Sequence, residues 1–474
     1  MMNDDARKPW MLDEVLKAVG GTLLAGPAQA GFAGISIDSR NILPEQLFVA
    51  ISGLQHDGHA YAGQAVEKGA RGLVLEFGKA GSLDLKSWDR NNVACIGVKE
   101  GVRALGDLAA FHRMRCSASV AAVTGSSGKT TTREMLAAIL SRKFETLATR
   151  GNLNNAIGLP LTLLQLTAKH QWAVLEAGMN HPGELLRLGE ICRPDIAVIT
   201  NVGPAHLEGL GSVEGVMRAK MELLQTLGPR GVAVLNADNP YTVKMAGQIH
   251  CETVWFGLAD FAQVRIDHIA HEGGKLSFDL RMPGEAARIT LNAPGSFMAH
   301  NVAAAAAVGY RIGLSLSEIR QGLESFSPAR GRMNIVHTGG IHIMDDTYNA
   351  NPASMKAALE TLAALSGKGR SVFVAGDMLE LGSDAESLHR QIGELAARIG
   401  VSRLYAVGTH AGALADAALK AGMKKEGVFV GTRSEIAADL KDRLQPDDWI
   451  LVKGSRSMAM EQIVQEITNW VQKQ

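Results

Sequence analysis

Short apolar runs broken by polar turns organise this chain. In the first hundred residues, Ser36–Ile37 and Leu47–Ile51 lie around the turn Asp38-Ser39-Arg40, and Gly72–Glu76 (GLVLE) and Val93–Val98 (VACIGV) read as further strands. Val102–His112 has helical spacing and leads into a second region. That region opens with Val120–Thr124 (VAAVT) and repeats the rhythm at Trp172–Glu176, Ile196–Asn201 and Val232–Asn236, each run followed by a turn and a helical pattern. A third region begins after Phe326-Ser327-Pro328, with strands expected at Ile341–Met344, Ser371–Ala375, Leu404–Val407, Val428–Val430 and Trp449–Val452.

Strands alternating with helices predict parallel sheets with right-handed crossovers. The expected fold class is α/β in three domains: a small α/β unit at 1–100, a central unit at 101–327 with a mostly parallel sheet, and a doubly wound unit at 328–474. In doubly wound sheets ligands bind beyond the carboxyl ends of strands. The turns Asp345-Asp346, Gly376-Asp377, Gly408, Gly431 and Lys453-Gly454 are therefore candidate site positions, although such turns also serve as plain connectors.

The strongest chemical signal is Thr124-Gly125-Ser126-Ser127-Gly128-Lys129-Thr130-Thr131-Thr132, between a strand and a helix expected at Arg133–Leu140. Glycines let backbone N–H groups approach phosphate oxygens, and a helix N-terminus adds a favourable dipole. Lys129 can neutralise β- and γ-oxygens, and the Thr130 hydroxyl can meet Mg²⁺. The common loop has four residues between its glycines, whereas this one has two, which points away from ordinary kinases and GTPases. Glu176, at the end of WAVLE, is the candidate metal carboxylate, with a helix-capping role as its alternative. Lys220 is separated from Val213, Val216, Met217, Leu223 and Leu224 by spacings of three, four or seven, on the apolar stripe of a helix. A buried amine loses its proton readily and can then take up CO₂ as a carbamate, while a snorkelling lysine is the ordinary reading of such a position.

Composition removes several classes. Lys+Arg and Asp+Glu are both 48, so no broad field favours nucleic acid or a membrane surface. Cys95, Cys116, Cys192 and Cys251 form no C-x-x-C pair, so a reducing cytoplasm is the expected compartment. The segment Met1–Trp10 lacks the apolar stretch of a signal peptide. No apolar run reaches the roughly 20 residues of a spanning helix, and the Ala-rich Val302–Val308 reads as packed. A monomer is the default expectation.

TGSSGKTTT, GNLNNAIGLP (Gly151–Pro160), LEAGMN (Leu175–Asn180), TNVGPAHLEGLGS (Thr200–Ser212) and RAK (Arg218–Lys220) together resemble the Mur ligase family, over nearly the whole chain. The resemblance implies a UDP-sugar-binding N-terminal domain, a P-loop ATPase domain and a Rossmann-like C-terminal domain. Within the family, DDTYNANPASM (Asp345–Met355), GDMLELG (Gly376–Gly382) followed by His389, and KGSRSMAME (Lys453–Glu461) are similar to the members that add D-alanyl-D-alanine to UDP-N-acetylmuramoyl-tripeptide. The DNPR motif of diaminopimelate-adding members is absent, since Tyr241 follows Asp238-Asn239-Pro240.

The resemblance implies ATP and Mg²⁺ as cofactors and these two small molecules as substrates. It makes Thr130, Glu176 and His206 metal ligands, and Lys220 a carbamylated lysine. It places ATP on Gly125, Ser126, Ser127, Gly128, Lys129, Thr130 and Thr131, with Asn301 at the adenine, Arg332 at the phosphates and Asp346 at the ribose. Lys129, Lys220, His206 and Arg332 carry the catalytic expectation. The segment Ile37–His59 is similar to the family's UDP-binding stretch, which nominates Asp38, Ser39, Arg40, Gly53, Asp57 and His59. Asn349, Asn351, Lys453, Ser455 and Arg456 are nominated for dipeptide or nucleotide. Folylpolyglutamate synthase shares the ATPase core but lacks the UDP-sugar domain, and Ile37–His59 argues against it. A non-ligase nucleotide switch is the reading of another class; a GTPase would want an Asn-Lys-x-Asp motif, which the chain lacks.

Overall fold

A computed structural model describes residues 9–53, 55–272, 275–367 and 369–472. The expectation for the extreme N-terminus, Met1–Lys8, lies outside the described residues.

Three main sheets follow one another along the chain. The first holds β1 (Thr22–Ala25), β2 (Ile35–Ser36), β3 (Leu47–Val49), β4 (Gly72–Glu76) and β5 (Ala94–Val98) in the order β1-β5-β4-β3-β2. Its pairs are parallel except β1 with β5. Helix α1 (Gly101–Met114) carries the chain into the second sheet.

The central elements are β6 (Ser119–Thr124), α2 (Lys129–Leu140), β7 (Thr146–Ala148), β8 (Trp172–Glu176), α3 (Glu184–Cys192), β9 (Ile196–Ile199), α4 (Val213–Gln225), β10 (Val232–Asn236) and β11 (Glu252–Gly257). After them come β12 (Val264–Glu272), β13 (Lys275–Met282), β14 (Glu285–Leu291) and α5 (Phe297–Arg311). The nine strands run β14-β13-β12-β11-β10-β9-β6-β8-β7, parallel as far as β12 and antiparallel beyond it. Alternate residues of the buried strands serve different cores. Ala121 and Val123 face α2, α5 and an apolar cluster continuous with the third sheet. Val120 and Ala122 face α1 and the apolar residues of the first sheet. The Ala-rich Val302–Val308 is wholly buried within α5.

The third sheet has β15 (Asn334–Thr338), β16 (Ile341–Asp346), β17 (Ser371–Gly376), β18 (Arg403–Val407), β19 (Val428–Val430) and β20 (Trp449–Lys453), in the order β15-β16-β20-β17-β18-β19. Only β15 is antiparallel to its neighbour. Helices α6 (Pro352–Ser366) and α7 (Ala385–Arg398) lie within this unit.

Several elements differ from the sequence expectation. Helix α2 starts at Lys129, not Arg133, because Gly128 at φ 77° closes the loop and releases the helix at once; β-branched threonines, weak helix formers, disguised its first turn. Strand β9 ends at Ile199, so Thr200 and Asn201 turn toward the phosphate loop instead of extending the strand. The antiparallel extension β12–β14 was not expected. Its signal was present: Leu276, Phe278, Leu280 and Met282 alternate with exposed or half-buried positions, and Pro283-Gly284 makes the turn to β14.

Candidate active site

The phosphate loop leaves the carboxyl end of β6. A side chain at Gly125 would overlap the Thr200 hydroxyl, and one at Gly128 would overlap the Asn301 amide oxygen, so both positions require glycine. Asn201 braces the loop: its carbonyl accepts Ser126 N–H at 3.1 Å and its Oδ1 accepts Ser127 N–H at 2.9 Å. Lys129 Nζ donates to Gly125 O at 2.7 Å. The first-turn N–H groups of α2 have no acceptor within the helix, which suits a phosphate. Burial lowers the Lys129 pKa, with Arg332 adding to the fall and Glu176 and Glu380 opposing it.

Glu176 is buried at the end of β8. Its Oε2 accepts the Thr130 hydroxyl at 2.7 Å and its Oε1 accepts Asn154 Nδ2 at 2.8 Å, while Arg133 Nε stands 3.8 Å from Oε2. Glu176 therefore caps no helix; it gathers the loop's threonine and the Gly151–Pro160 motif at one carboxylate. In the sequence Asn154 stands out only as part of that motif.

These groups share a cavity of about 1000 Å³. Ser126, Ser127, Gly128, Lys129, Thr130, Thr131, Glu176, His206 and Asn301 line it from the central unit. Arg332, Asp346, Asn349, Asn351, Lys453 and Arg456 line it from the other side. The Arg332 guanidinium lies 3.9 Å from the Tyr348 ring centroid, a cation–π contact that holds it at the wall. Asp346 and Lys453 are register partners on β16 and β20, and Nζ sits 2.5 Å from Oδ2. Lys453 also donates to Asn349 O at 2.9 Å. Asn351 caps α6 through Ser354 N–H, and its Nδ2 donates to Ser126 O at 3.1 Å, tying the third unit to the phosphate loop. Ser455 is buried behind the wall, with its hydroxyl accepting Leu379 N–H at 2.9 Å.

Lys220 lies on α4 with 1 % of its surface exposed and makes no ion pair among the described residues. Burial drives its pKa far down and the nearby Lys129 charge lowers it further. His206 occupies the left-handed region at φ 54°, and its Nδ1 lies 2.6 Å from Glu380 Oε2, a partner 174 positions away that no local pattern marks. The hydrogen bond to His206 holds the Glu380 carboxyl below its ordinary range, and Lys129 and His181 add to the effect.

The N-terminal nominees do not line this cavity, whose lining begins at Val102. They gather instead beyond the carboxyl ends of β2, β3 and β4. Asp38 pairs with Arg40 at 2.9 Å, and hydrogen bonds from Arg40 pull its pKa down to about 2. Ser39 donates to Gln64 at 2.7 Å, and Gly53 N–H closes a turn on His56 O at 2.8 Å. Asp57 holds both Lys79 at 2.6 Å and the His59 ring at 2.7 Å, and His59 Nε2 accepts Glu76 N–H at 2.9 Å.

Three family models match successive parts of the chain: "Mur ligase family, catalytic domain" over residues 31–113, "Mur ligase middle domain" over 123–309 and "Mur ligase, glutamate ligase domain" over 331–456. The chain belongs to the Mur ligase family. This Mur ligase is 37% identical over 441 residues to the UDP-N-acetylmuramoyl-tripeptide–D-alanyl-D-alanine ligase of Escherichia coli, covering 91% of this chain and 93% of that one. Its fold matches a crystal structure of MurF from Acinetobacter baumannii with a TM-score of 0.88, at 33% identity, over 98% of this chain and 100% of the other. MurF ligase from Thermotoga maritima, solved in complex with ADP, matches with a TM-score of 0.82 at 28% identity over 93% and 98% of the two chains. Among the described residues of this Mur ligase, no helix is long and apolar enough to cross a membrane.

Proposed function

We propose that this Mur ligase uses ATP to join the amine of D-alanyl-D-alanine to the terminal carboxylate of UDP-N-acetylmuramoyl-tripeptide, producing the UDP-pentapeptide for peptidoglycan synthesis. It acts as a cytoplasmic monomer. Its working division is 1–100 for the UDP-sugar, 101–327 for ATP and 328–474 for the nucleotide's ribose and the dipeptide. The observation that carries this reading is the cavity with the phosphate loop on one wall and Arg332, Asp346, Lys453 and Arg456 on the other.

A carboxylate needs a leaving group before an amine can displace oxygen from it. The tripeptide carboxylate attacks the γ-phosphorus in line, the bond to ADP breaks, and an acyl phosphate forms. The dipeptide amine then adds to that carbonyl, and the tetrahedral intermediate expels phosphate. The first step brings anion against anion; two unit charges at ~4 Å repel by about 4 kcal/mol at an effective dielectric of 20, and the triphosphate multiplies this. Lys129 and Arg332 supply fixed positive charge at that point, and the N-terminus of α2 adds backbone donors. Asn301 beside Gly128 meets the adenine, and Asp346 meets the ribose.

Thr130 and Glu176 fit a magnesium ion, because they present hydroxyl and carboxylate oxygens beside the phosphate loop and leave room for phosphate and water ligands. His206 offers Nε2 to a second ion, its Nδ1 being engaged by Glu380. Thr130, Glu176 and His206 would hold Mg²⁺, which when bound would withdraw charge from the phosphate oxygens. Lys220 suits carbamylation: burial favours the neutral amine that CO₂ requires, and an anion there replaces repulsion of Lys129 with attraction. The acyl phosphate is open to hydrolysis, and closure of the domains around the cavity excludes water.

The test is phosphate release from ATP with Mg²⁺ and UDP-N-acetylmuramoyl-tripeptide, with and without D-alanyl-D-alanine. Release that needs both substrates, with the UDP-pentapeptide seen by mass spectrometry, is the expected result. Turnover indifferent to peptides, as in a nucleotide switch, or seen only with folate and glutamate, refutes it.

A further inference from the structure

A loop from the third sheet reaches across to the central unit and carries Glu380, the partner of His206. It spans Asp377 to Gly382, between β17 and α7, and is fastened at three consecutive residues. The Asp377 carboxylate accepts the N–H groups of Thr409 at 2.7 Å and His410 at 3.1 Å. Met378 N–H donates to His389 Nε2 at 2.9 Å, and His389 Nδ1 donates to Ala385 O at 2.6 Å, which sets that ring in one tautomer. Leu379 N–H donates to Ser455 Oγ at 2.9 Å.

The next residue, Glu380, sits at φ 63° and faces His206, which sits at φ 54°. Its carboxylate meets His206 Nδ1 at 2.6 Å, and its carbonyl accepts Glu208 N–H at 3.3 Å. Left-handed backbone is uncommon at non-glycine residues, and strained positions of this kind recur at functional sites. Here two of them, from the central and third units, meet beside the cavity that His206 lines. A carboxylate on Nδ1 fixes the ring and its tautomer and turns the Nε2 lone pair outward, as partners of metal-bound histidines do.

We propose that Glu380 is a positioning residue for His206: the docked C-terminal unit delivers the carboxylate that orients the imidazole, so the second cation site is complete only when that unit is in place. This rests on the reading of His206 as a ligand of a divalent cation.

The test uses the full chain with Mn²⁺ in place of Mg²⁺, a non-hydrolysable ATP analogue and UDP-N-acetylmuramoyl-tripeptide. Electron spin-echo spectroscopy then reads directly bound imidazole nitrogen, and titration reads the two Mn²⁺ affinities. Wild type shows the nitrogen coupling and His206→Ala lacks it. Glu380→Ala weakens the second Mn²⁺ about 10- to 100-fold and loses the coupling, while the nucleotide-site Mn²⁺ at Thr130 and Glu176 is unchanged, which also reports an intact fold. Glu380→Gln, which keeps an oxygen acceptor, recovers most of the coupling. Unchanged coupling and affinity in Glu380→Ala overturn the positioning role and leave the His206 reading intact. Absence of coupling in the wild type overturns both.

Discussion

The Asp346–Lys453 pair offers a direct test of how the third sheet builds its cavity wall. Lys453 is 2 % exposed and Asp346 14 %, with Nζ 2.5 Å from Oδ2. Replacing Lys453 by Met preserves the volume of the stem but leaves the carboxylate without its cation. Its remaining tie is Met333 N–H, which donates to Oδ1 at 3.2 Å. Breaking a buried pair from one side costs about 3–5 kcal/mol, and the residual exposure and the Met333 bond place this case near 3. For a domain of about 150 residues, each kcal/mol moves the midpoint by roughly 2–4 °C, so Lys453→Met should lower it by about 6–12 °C in scanning calorimetry. The penalty comes from an unpaired charge, so adding Asp346→Asn should restore part of it, by ~1 kcal/mol or more. If the double variant is no more stable than Lys453→Met, the loss is one of packing and the argument from the ion pair is wrong.

Lys129→Ala should abolish ATP turnover while leaving the circular dichroism spectrum native; retained ligase activity would sink the phosphate-loop assignment. Asn154→Ala leaves the buried Glu176 Oε1 without its donor, a loss of about 1–3 kcal/mol, and should raise the Mg²⁺ concentration needed for half-maximal activity. Lys220→Ala should be nearly inactive and partly rescued by a short carboxylic acid, with unchanged activity returning Lys220 to a snorkelling role. The same lysine predicts a pH trend. Its folded pKa lies below its unfolded value, so the unfolded chain binds the extra proton between the two, and stability rises with pH across that window up to about 10. In CO₂-free buffer Lys220→Met should therefore gain most over wild type at the low-pH end of the window and lose that advantage toward pH 10; urea titrations showing a constant difference would contradict it.

Local pattern carried much of this protein. Gly72–Glu76, Trp172–Glu176, Val232–Asn236 and Val428–Val430 are strands with the bounds their apolar runs suggested. The place of Lys220 on the apolar stripe of a helix followed from its spacing, although that spacing alone favoured a snorkelling side chain over the buried one observed, and Gly125 and Gly128 followed from the strand–loop–helix context. These features depend on neighbours within a few turns of chain, and periodicity encodes such neighbours. What the run of residues left open are the contacts between units. His206 meets Glu380 across 174 positions and Asn351 meets Ser126 across 225. No spacing rule reaches such distances, because these pairs form only when rigid sheets dock on shared apolar faces, and that docking is a property of whole surfaces. The sequence by itself therefore determined the buried parallel strands, the phosphate loop and the family; the tertiary structure alone decided which side chains of the second and third sheets confront each other across the cavity.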